Sequence, residues 1–246
     1  MLFRSPRWLV AHGRIKEAEE IVTYLTGKDI DLSEAAKNVQ PKIAVTDVLI
    51  GMFTRKYIGR TLLIMLLFVC ITPAGFLLTT WTTQLLKMLG FSVKESLTAM
   101  TIISVGVPVG CFLNSLVSDL GGRKLPLAVL SVLAAITALI FGGMKSLILL
   151  TILGFAVTVF NMALNFTLFS YTAESYPTRM RNTATGFHNG LARLSVSASQ
   201  PLIPMIHASY GFAGIFTSVA ILFFLPVIPL LIWGQRTGGK SLEEIE

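Results

Sequence analysis

The sequence predicts an all-α membrane protein with six transmembrane helices. Hydrophobic residues make up 53% of the chain and charged residues only 13%, about half the charged fraction of an ordinary soluble domain. Six almost uncharged runs are each long enough to cross, as a helix, a hydrocarbon core about 30 Å thick. The runs are continuous and do not alternate between apolar and polar residues, which excludes a transmembrane β-barrel.

The six predicted spans are numbered one to six in chain order, and the fifth is the least hydrophobic. They cover residues 61–81, 96–117, 125–143, 146–170, 182–206 and 211–233. The residues that flank them predict three regions: a cytoplasmic segment with short amphipathic helices, a six-helix bundle and a cytoplasmic tail. These regions are residues 1–60, 61–233 and 234–246.

Basic residues near the span ends predict the orientation, because they accumulate on the cytoplasmic side of a membrane. With the amino terminus inside, the outer loops carry Lys87, Lys94 and Lys145. The inner segments then carry Arg55, Lys56, Arg60, Arg123, Lys124, Arg179, Arg181, Arg236 and Lys240. Nine basic residues against three predict a multi-pass protein of the cell (inner or plasma) membrane with both termini in the cytoplasm.

Several classes of protein are excluded by composition. The net charge of +7 comes from basic residues spread between the spans, without the interleaved basic and aromatic patch that binds nucleic acid. Cys70 and Cys111 fall inside apolar runs, where neither a disulfide framework nor a metal site is expected. The three histidines are far apart and no deep carboxylate accompanies them. We therefore expect no enzyme activity, no metal and no cofactor.

Polar residues inside the spans are the candidate solute-binding residues, because polar groups in lipid are costly and face a bundle interior or a wet cavity. Asn161 and Asn165 share one helical face. The full candidate set is Trp81, Gln84, Asn161, Asn165, His188, Asn189, Arg193 and Gln200. Each residue has an alternative role, since such side chains also pair between helices and hold them together. His188 is either a proton carrier or a polar residue satisfied within the bundle.

Arg193 stands out because a guanidinium within a span costs roughly 2.5–3.5 kcal/mol on insertion scales and remains charged at any cellular pH. No Asp or Glu lies at a comparable depth, since Asp119 and Glu174 fall at inner span ends. Four compensations are open: backbone carbonyls, cavity water, a polypeptide outside this chain, or an anionic ligand.

Three stretches carry a resemblance to a known family. They are SPRWLVAHGRIKEAEEI at 5–21, SDLGGRK at 118–124 and AESYPTRMRNTATG at 173–186. The chain resembles the carboxy-terminal half of a major facilitator superfamily transporter, in the organic cation and anion branch with its bacterial, niacin-like metabolite relatives. The family pattern usually has Gly where Ser115 stands and often Arg where Leu120 stands, so this chain departs from the pattern around the second stretch at two positions.

The resemblance implies a fold of twelve helices in two six-helix halves, with the substrate between them. This chain would supply helices seven to twelve, and Arg193 resembles the substrate-selecting Arg of the organic anion members. The expected function is that of a secondary active transporter half, a symporter for a small organic metabolite, and the expected metabolite is an organic anion. Its expected partners are membrane lipid, the solute, and either a missing amino-terminal half or a second copy. The alternative is a truncated, non-transporting protein that binds a ligand or a partner half.

The resemblance also implies a cytoplasmic gate built from the two inner motifs. Its candidate residues are Asp119, Gly122, Arg123, Lys124, Glu174, Arg179 and Arg181. We expect Asp119 and Glu174 to meet Arg179 and Arg181 in a latch that closes one state and parts in the other. The alternative is that these charges only fix the topology.

Overall fold

The structure is a computed structural model that describes residues 6–11, 13–27, 31–32, 44–118 and 122–235. These residues form helices and connecting turns, and no strand occurs among them. Packing divides the chain into two compact units, Met1–Ala44 and Val45–Glu246.

The first unit contains two short helices, α1 (Pro6–Ala11) and α2 (Ile15–Thr26). Helix α2 ends at Gly27, whose φ of 67° is left-handed and whose N–H reaches the Thr23 carbonyl, as glycine at this position commonly does. Ala18 is buried on α2 and Leu25 is exposed, so only part of the predicted apolar face is covered within this unit.

The second unit is a helical bundle. Its described helices are α3 (Val45–Met52), α4 (Ile58–Thr80), α5 (Thr82–Met88), α6 (Val93–Ser104), α7 (Gly106–Val117), α8 (Lys124–Gly143), α9 (Leu147–Glu174), α10 (Thr178–Ser199), α11 (Leu202–Phe224) and α12 (Val227–Trp233).

Five helical stretches of the described chain are long and apolar enough to cross a membrane. They are Ile58–Thr80, Val93–Val117, Lys124–Gly143, Leu147–Glu174 and Leu202–Trp233. The sixth long helix, α10, corresponds to the fifth predicted span but is too polar to meet the same criterion. The predicted order of six long helices is therefore present, and the polarity of α10 distinguishes it from the rest.

Spans five and six show where the helices are divided differently from the prediction. Span five, 182–206, crosses the break between α10 and α11 at Gln200 and Pro201. The helix breaks there because proline lacks the N–H that would continue the helical hydrogen bonds. Within α11, Gly211 has φ 64° and ψ −162°, a region of backbone conformation essentially restricted to glycine. Gly211 therefore divides 202–210 from 212–224, at the point where the sequence separates spans five and six.

Helix α9 lies at the centre of the bundle, packed against α4, α6, α7, α8 and α10, while α8 also packs along α11. The approach of α7 to α9 is close: a Cβ added at Gly110 would lie 2.5 Å from the Val159 carbonyl oxygen. Phe141 on α8 contacts Phe216 on α11 with ring centroids 4.4 Å apart. These contacts fix α9 and leave α10 at one side, against α3, α4, α9 and α11.

Candidate functional site

Helix α10 has one buried face and one exposed face. The buried residues recur every four positions and are Met180, Ala184, His188, Ala192 and Val196. The exposed face, called the α10 polar face below, comprises Asn182, Gly186, Gly190, Arg193 and Ser197. Leu194 borders it and is also exposed.

The α10 polar face differs from the exposed surface of α8, which presents large apolar side chains such as Leu125, Val129 and Ile136. A helix surface in contact with acyl chains presents apolar side chains, because no polar partner is available there. Small and charged residues therefore make the α10 polar face unsuited to lipid.

Arg193 lies on this face and is exposed. Across the described residues its guanidinium makes no ion pair and no hydrogen bond. Gly190 and Gly186 lie about one and two turns earlier, and a Cβ added at either would meet nothing within 4 Å. The described residues thus leave both the guanidinium and the space above the two glycines without a partner.

Trp81 and Gln200 form a direct contact between two predicted site residues. The Trp81 indole Nε1 donates to Gln200 Oε1 at 2.8 Å, and Gln200 Nε2 donates to the Val196 carbonyl at 3.1 Å. Trp81 immediately follows α4 and Gln200 immediately follows α10, so this contact joins the carboxy-terminal ends of the two helices. Gln84 is exposed on α5.

Asn161 and Asn165 pair with each other on α9. Asn165 Nδ2 donates to the Asn161 carbonyl at 2.8 Å and to Asn161 Oδ1 at 3.0 Å. Asn161 is buried against α4, where a Cβ added at Gly75 would lie 2.5 Å from its Oδ1. Asn165 and, on α10, Asn189 are half-buried. Asn165 is therefore the member of the pair that a solute can reach in this arrangement.

His188 is fully buried, at 0% exposure, inside an aromatic cage. The Phe68 ring stacks on it at 5.9 Å with a 10° interplanar angle, and Phe187 meets it edge-on at 5.5 Å. Its Nε2 lies 3.0 Å from the Tyr176 hydroxyl. A solute does not reach this imidazole in the arrangement seen here. His188 thus differs in exposure from Arg193, which lies on the exposed face of the same helix.

The number of hydroxyl hydrogens fixes the direction of each bond in this cluster. Thr61 Oγ1 donates to the Met52 carbonyl at 2.8 Å, so Tyr176 must donate to Thr61 Oγ1, which lies 2.9 Å away. The Tyr176 oxygen then accepts from His188 Nε2–H. Burial raises the pKa of Tyr176 to about 12, against the opposing effects of the Thr61 hydroxyl and the Arg60 guanidinium. Sequence reasoning missed Thr61 and its bond to Tyr176.

The predicted cytoplasmic gate contains one ion pair among the described residues of the second unit. Arg123 Nε donates to Glu174 Oε1 at 2.9 Å, with side-chain exposures of 19% and 23%. Glu174 makes no ion pair or hydrogen bond with its expected partners, Arg179 and Arg181, in this state. The reason is that α9 packs along α8, which brings the end of α9 to the residue preceding α8.

The structure describes four of the other predicted gate residues. Gly122 has a left-handed φ of 83°, which favours glycine. Lys124 begins α8, and Arg179 is exposed at the second residue of α10. Arg181 has Nε and Nη2 buried without a hydrogen-bond partner among the described residues, as does Glu174 Oε2. Asp119 lies outside the described residues.

Comparison with known proteins gives the family. The chain matches the model of the sugar (and other) transporter family over residues 1–246. It is 26% identical to the putative metabolite transport protein YyaJ of Bacillus subtilis, over 98% of this chain and 54% of that protein. It is 27% identical to the niacin transporter NiaP of Acinetobacter baylyi, over 97% of this chain and 55% of that protein.

A solved structure has the same fold. The structure of the major facilitator superfamily proton:xylose symporter XylE bound to 6-bromo-6-deoxy-D-glucose superposes with a TM-score of 0.67 at 20% identity, covering 98% of this chain and 53% of that one. The chain thus spans about half the length of the relatives it matches. The helical bundle, the inner-rim motifs and the match over the whole sequence lead to one conclusion: this chain belongs to the sugar (and other) transporter family of the major facilitator superfamily.

Proposed function

We propose that this chain is the carboxy-terminal half of a secondary active transporter that moves a small organic anion across the cell membrane by alternating access. The other half, on the same polypeptide or on another, completes a site between two six-helix bundles. The orientation that accompanies this proposal has both termini in the cytoplasm, as the distribution of basic residues predicts.

The observation that carries the proposal is the exposure of Arg193 on the α10 polar face. A guanidinium at that depth needs a counter-charge or water, and the described residues supply neither an ion pair nor a hydrogen bond. A carboxylate binds a guanidinium through two parallel hydrogen bonds. A solute that carries a carboxylate therefore fits Arg193, and niacin, named for one relative, is a small carboxylic acid of this kind.

The α10 polar face also supports a second half opposite it. Glycine within a helix costs about 0.5–1 kcal/mol relative to alanine, yet no contact in this chain requires Gly186 or Gly190. Small residues at four-residue spacing allow another helix to approach closely. A helix of the other half, or of a second copy, accounts for both glycines.

Alternating access also needs an inner closure that can open. The Arg123–Glu174 pair is suited to this task, because partly exposed ion pairs contribute only about 0–1 kcal/mol and break readily. Opening would release Glu174 toward Arg181, whose partly buried guanidinium has free donors. Symport needs a proton or cation carrier as well. No Asp or Glu lies within the six predicted spans, so we place that carrier in the other half.

The test is uptake of radiolabelled nicotinate by proteoliposomes that contain the chain with a co-expressed six-helix amino-terminal half from a relative. Uncharged nicotinamide is the matched probe, because it lacks the carboxylate. We expect Arg193→Gln to raise the KM for nicotinate about tenfold or more and to leave nicotinamide handling unchanged. Lys145→Gln, which removes an exposed cation of an outer loop, is the control.

Two results count against the proposal. Binding of nicotinate without flux, in the presence of either the added half or a second copy of the chain, favours the non-transporting alternative. An equal effect of Arg193→Gln on the KM for nicotinate and for nicotinamide would show that the guanidinium does not recognise the carboxylate.

A further inference from the structure

A groove opens at the inner end of the bundle, between the start of α4 and the end of α12. Its volume is about 550 Å³. One part is lined by the cations Arg55, Lys56 and Arg60, and the other by apolar side chains that include Leu62, Leu66 and Trp233. The groove is remote in sequence from the α10 polar face and shares none of its residues.

Two of the cations contact the same aromatic ring. The Arg60 guanidinium lies 5.0 Å from the centroid of the Tyr57 ring, and the Lys56 ammonium lies 5.3 Å from the same centroid. Arg60 is further fixed by Nη1, which donates to the Ser175 carbonyl at 2.7 Å. Arg55 is exposed and makes no ion pair with a described residue. The described lining includes no carboxylate, so the groove itself supplies no counter-charge to Arg55, and an anion placed between Arg55 and Arg60 would be attracted by both guanidinium groups.

The apolar part lies where acyl chains would be. Leu62 is 53% exposed and Trp233 is 70% exposed, and both belong to stretches long and apolar enough to cross the membrane. Tyr57 and Trp233 stand at the ends of these stretches, the depth at which aromatic residues concentrate near lipid headgroups. The groove therefore offers positive charge at headgroup level and an apolar wall beneath it.

We propose that this groove binds an anionic glycerophospholipid of the cytoplasmic leaflet. Its phosphodiester contacts Arg55 and Arg60, and one acyl chain lies along Leu62 and Leu66. Basic pockets between transmembrane helices recognise anionic headgroups in this way. A soluble phosphate ester shares the headgroup chemistry but leaves the apolar wall uncovered, so the lipid accounts for the whole lining. The site concerns lipid and not solute, and only the choice of leaflet depends on the proposed orientation.

The test uses Trp233 as its reporter. The purified chain is placed in nanodiscs of phosphatidylcholine with increasing fractions of acyl-brominated phosphatidylglycerol or acyl-brominated phosphatidylcholine, and tryptophan quenching is recorded. The difference between the chain and Trp233→Phe isolates the signal of Trp233. We expect phosphatidylglycerol to quench at a lower mole fraction than phosphatidylcholine, and we expect Arg55→Gln and Lys56→Gln each to reduce that preference about fivefold.

The controls are Lys87→Gln and Lys94→Gln, which remove the same charge at the opposite ends of the helices and should leave the preference intact. Equal quenching by the two brominated lipids would overturn the proposal. Displacement of phosphatidylglycerol by millimolar inorganic phosphate would also overturn it, because the groove would then be a soluble phosphate site. Quenching does not depend on transport, so failure of the proposed transport function leaves this result unaffected.

Discussion

The Tyr176 hydroxyl accepts a hydrogen bond from His188 Nε2 at 3.0 Å and donates its own hydrogen to Thr61 Oγ1 at 2.9 Å. Thr61 in turn donates to the Met52 carbonyl. One chain of hydrogen bonds therefore links the end of α3, the start of α4 and the middle of α10. Every member is buried, and each N–H and O–H of the chain has an acceptor, while His188 Nδ1 has no hydrogen-bond partner among the described residues. The chain of bonds is strong only while these donors keep their acceptors.

Replacement of Tyr176 by Phe should destabilise the bundle. The change leaves His188 Nε2–H without an acceptor and Thr61 Oγ1 without its donor, and an unsatisfied buried group costs about 1–3 kcal/mol. We expect a lower free energy of unfolding, measured by denaturant titration of the purified chain in detergent. Tyr57→Phe is the matched control, because the Tyr57 hydroxyl makes no hydrogen bond to a described residue. Equal stability of the two variants would contradict the hydrogen-bond chain.

The raised pKa of Tyr176 predicts how stability changes in alkali. Its value is about 12 in the folded chain against 10.0 for a free phenol, so between pH 10 and 12 the unfolded state has released this proton and the folded state has not. The contribution is complete below pH 10 and is lost progressively as the pH rises toward 12, by up to about 3 kcal/mol. The measurement is the difference in unfolding free energy between the chain and Tyr176→Phe at pH 8 to 12. A constant difference over that range would show that Tyr176 titrates normally.

The Arg123–Glu174 pair should show direct energetic coupling. Because both side chains are partly exposed, we expect a coupling of about 1 kcal/mol or less in a double-mutant cycle of Arg123→Gln and Glu174→Gln. The measured quantity is the unfolding free energy of the four chains. Arg179→Gln replaces Arg123→Gln in the control cycle, and its coupling to Glu174 should be near zero.

A double variant tests the gate. Glu174→Gln with Arg181→Gln, introduced into a transporting assembly, should slow uptake, because position 174 can then form an ion pair neither with Arg123 nor with Arg181. Uptake at the full rate would favour the alternative, in which the charged residues of the gate only fix the membrane topology.

The sequence was sufficient to predict the helices but not the partners of their side chains. Span positions follow from hydrophobic length, and the unusual polarity of α10 was visible in its residues. The sequence predicts Arg179 and Arg181 as partners of Glu174, because they are its neighbours along the chain. In this state Glu174 pairs with Arg123, which becomes its neighbour only through the packing of α8 on α9. The latch between Glu174 and the two α10 arginines stays a prediction for the other state. The bond between Trp81 and Gln200 likewise depends on the relative height of two helices, which no periodicity within either helix specifies.

Alanine at Gly186 or at Gly190 should stabilise the isolated chain and weaken its association with a second half. An alanine Cβ at either position meets nothing within 4 Å in this chain. Gly186→Ala and Gly190→Ala should therefore each raise the helix stability of the chain alone by about 0.5–1 kcal/mol. If the α10 polar face packs closely against a second half, the same methyl groups fill the space that the partner helix needs, and co-purification with that half should fall.

Gly110→Ala is the contrasting variant. Its Cβ would lie 2.5 Å from the Val159 carbonyl oxygen, a distance that forces α7 away from α9, so this change should destabilise the chain alone. Unfolding free energy of the chain and recovery of a tagged second half are measured on the same preparations. Stabilisation of the chain together with loss of recovery, seen for Gly186→Ala and not for Gly110→Ala, assigns the partner surface to the α10 polar face. Unchanged recovery for both α10 variants would place that surface elsewhere, because a closely packed interface does not accept an added methyl group without a change in distance.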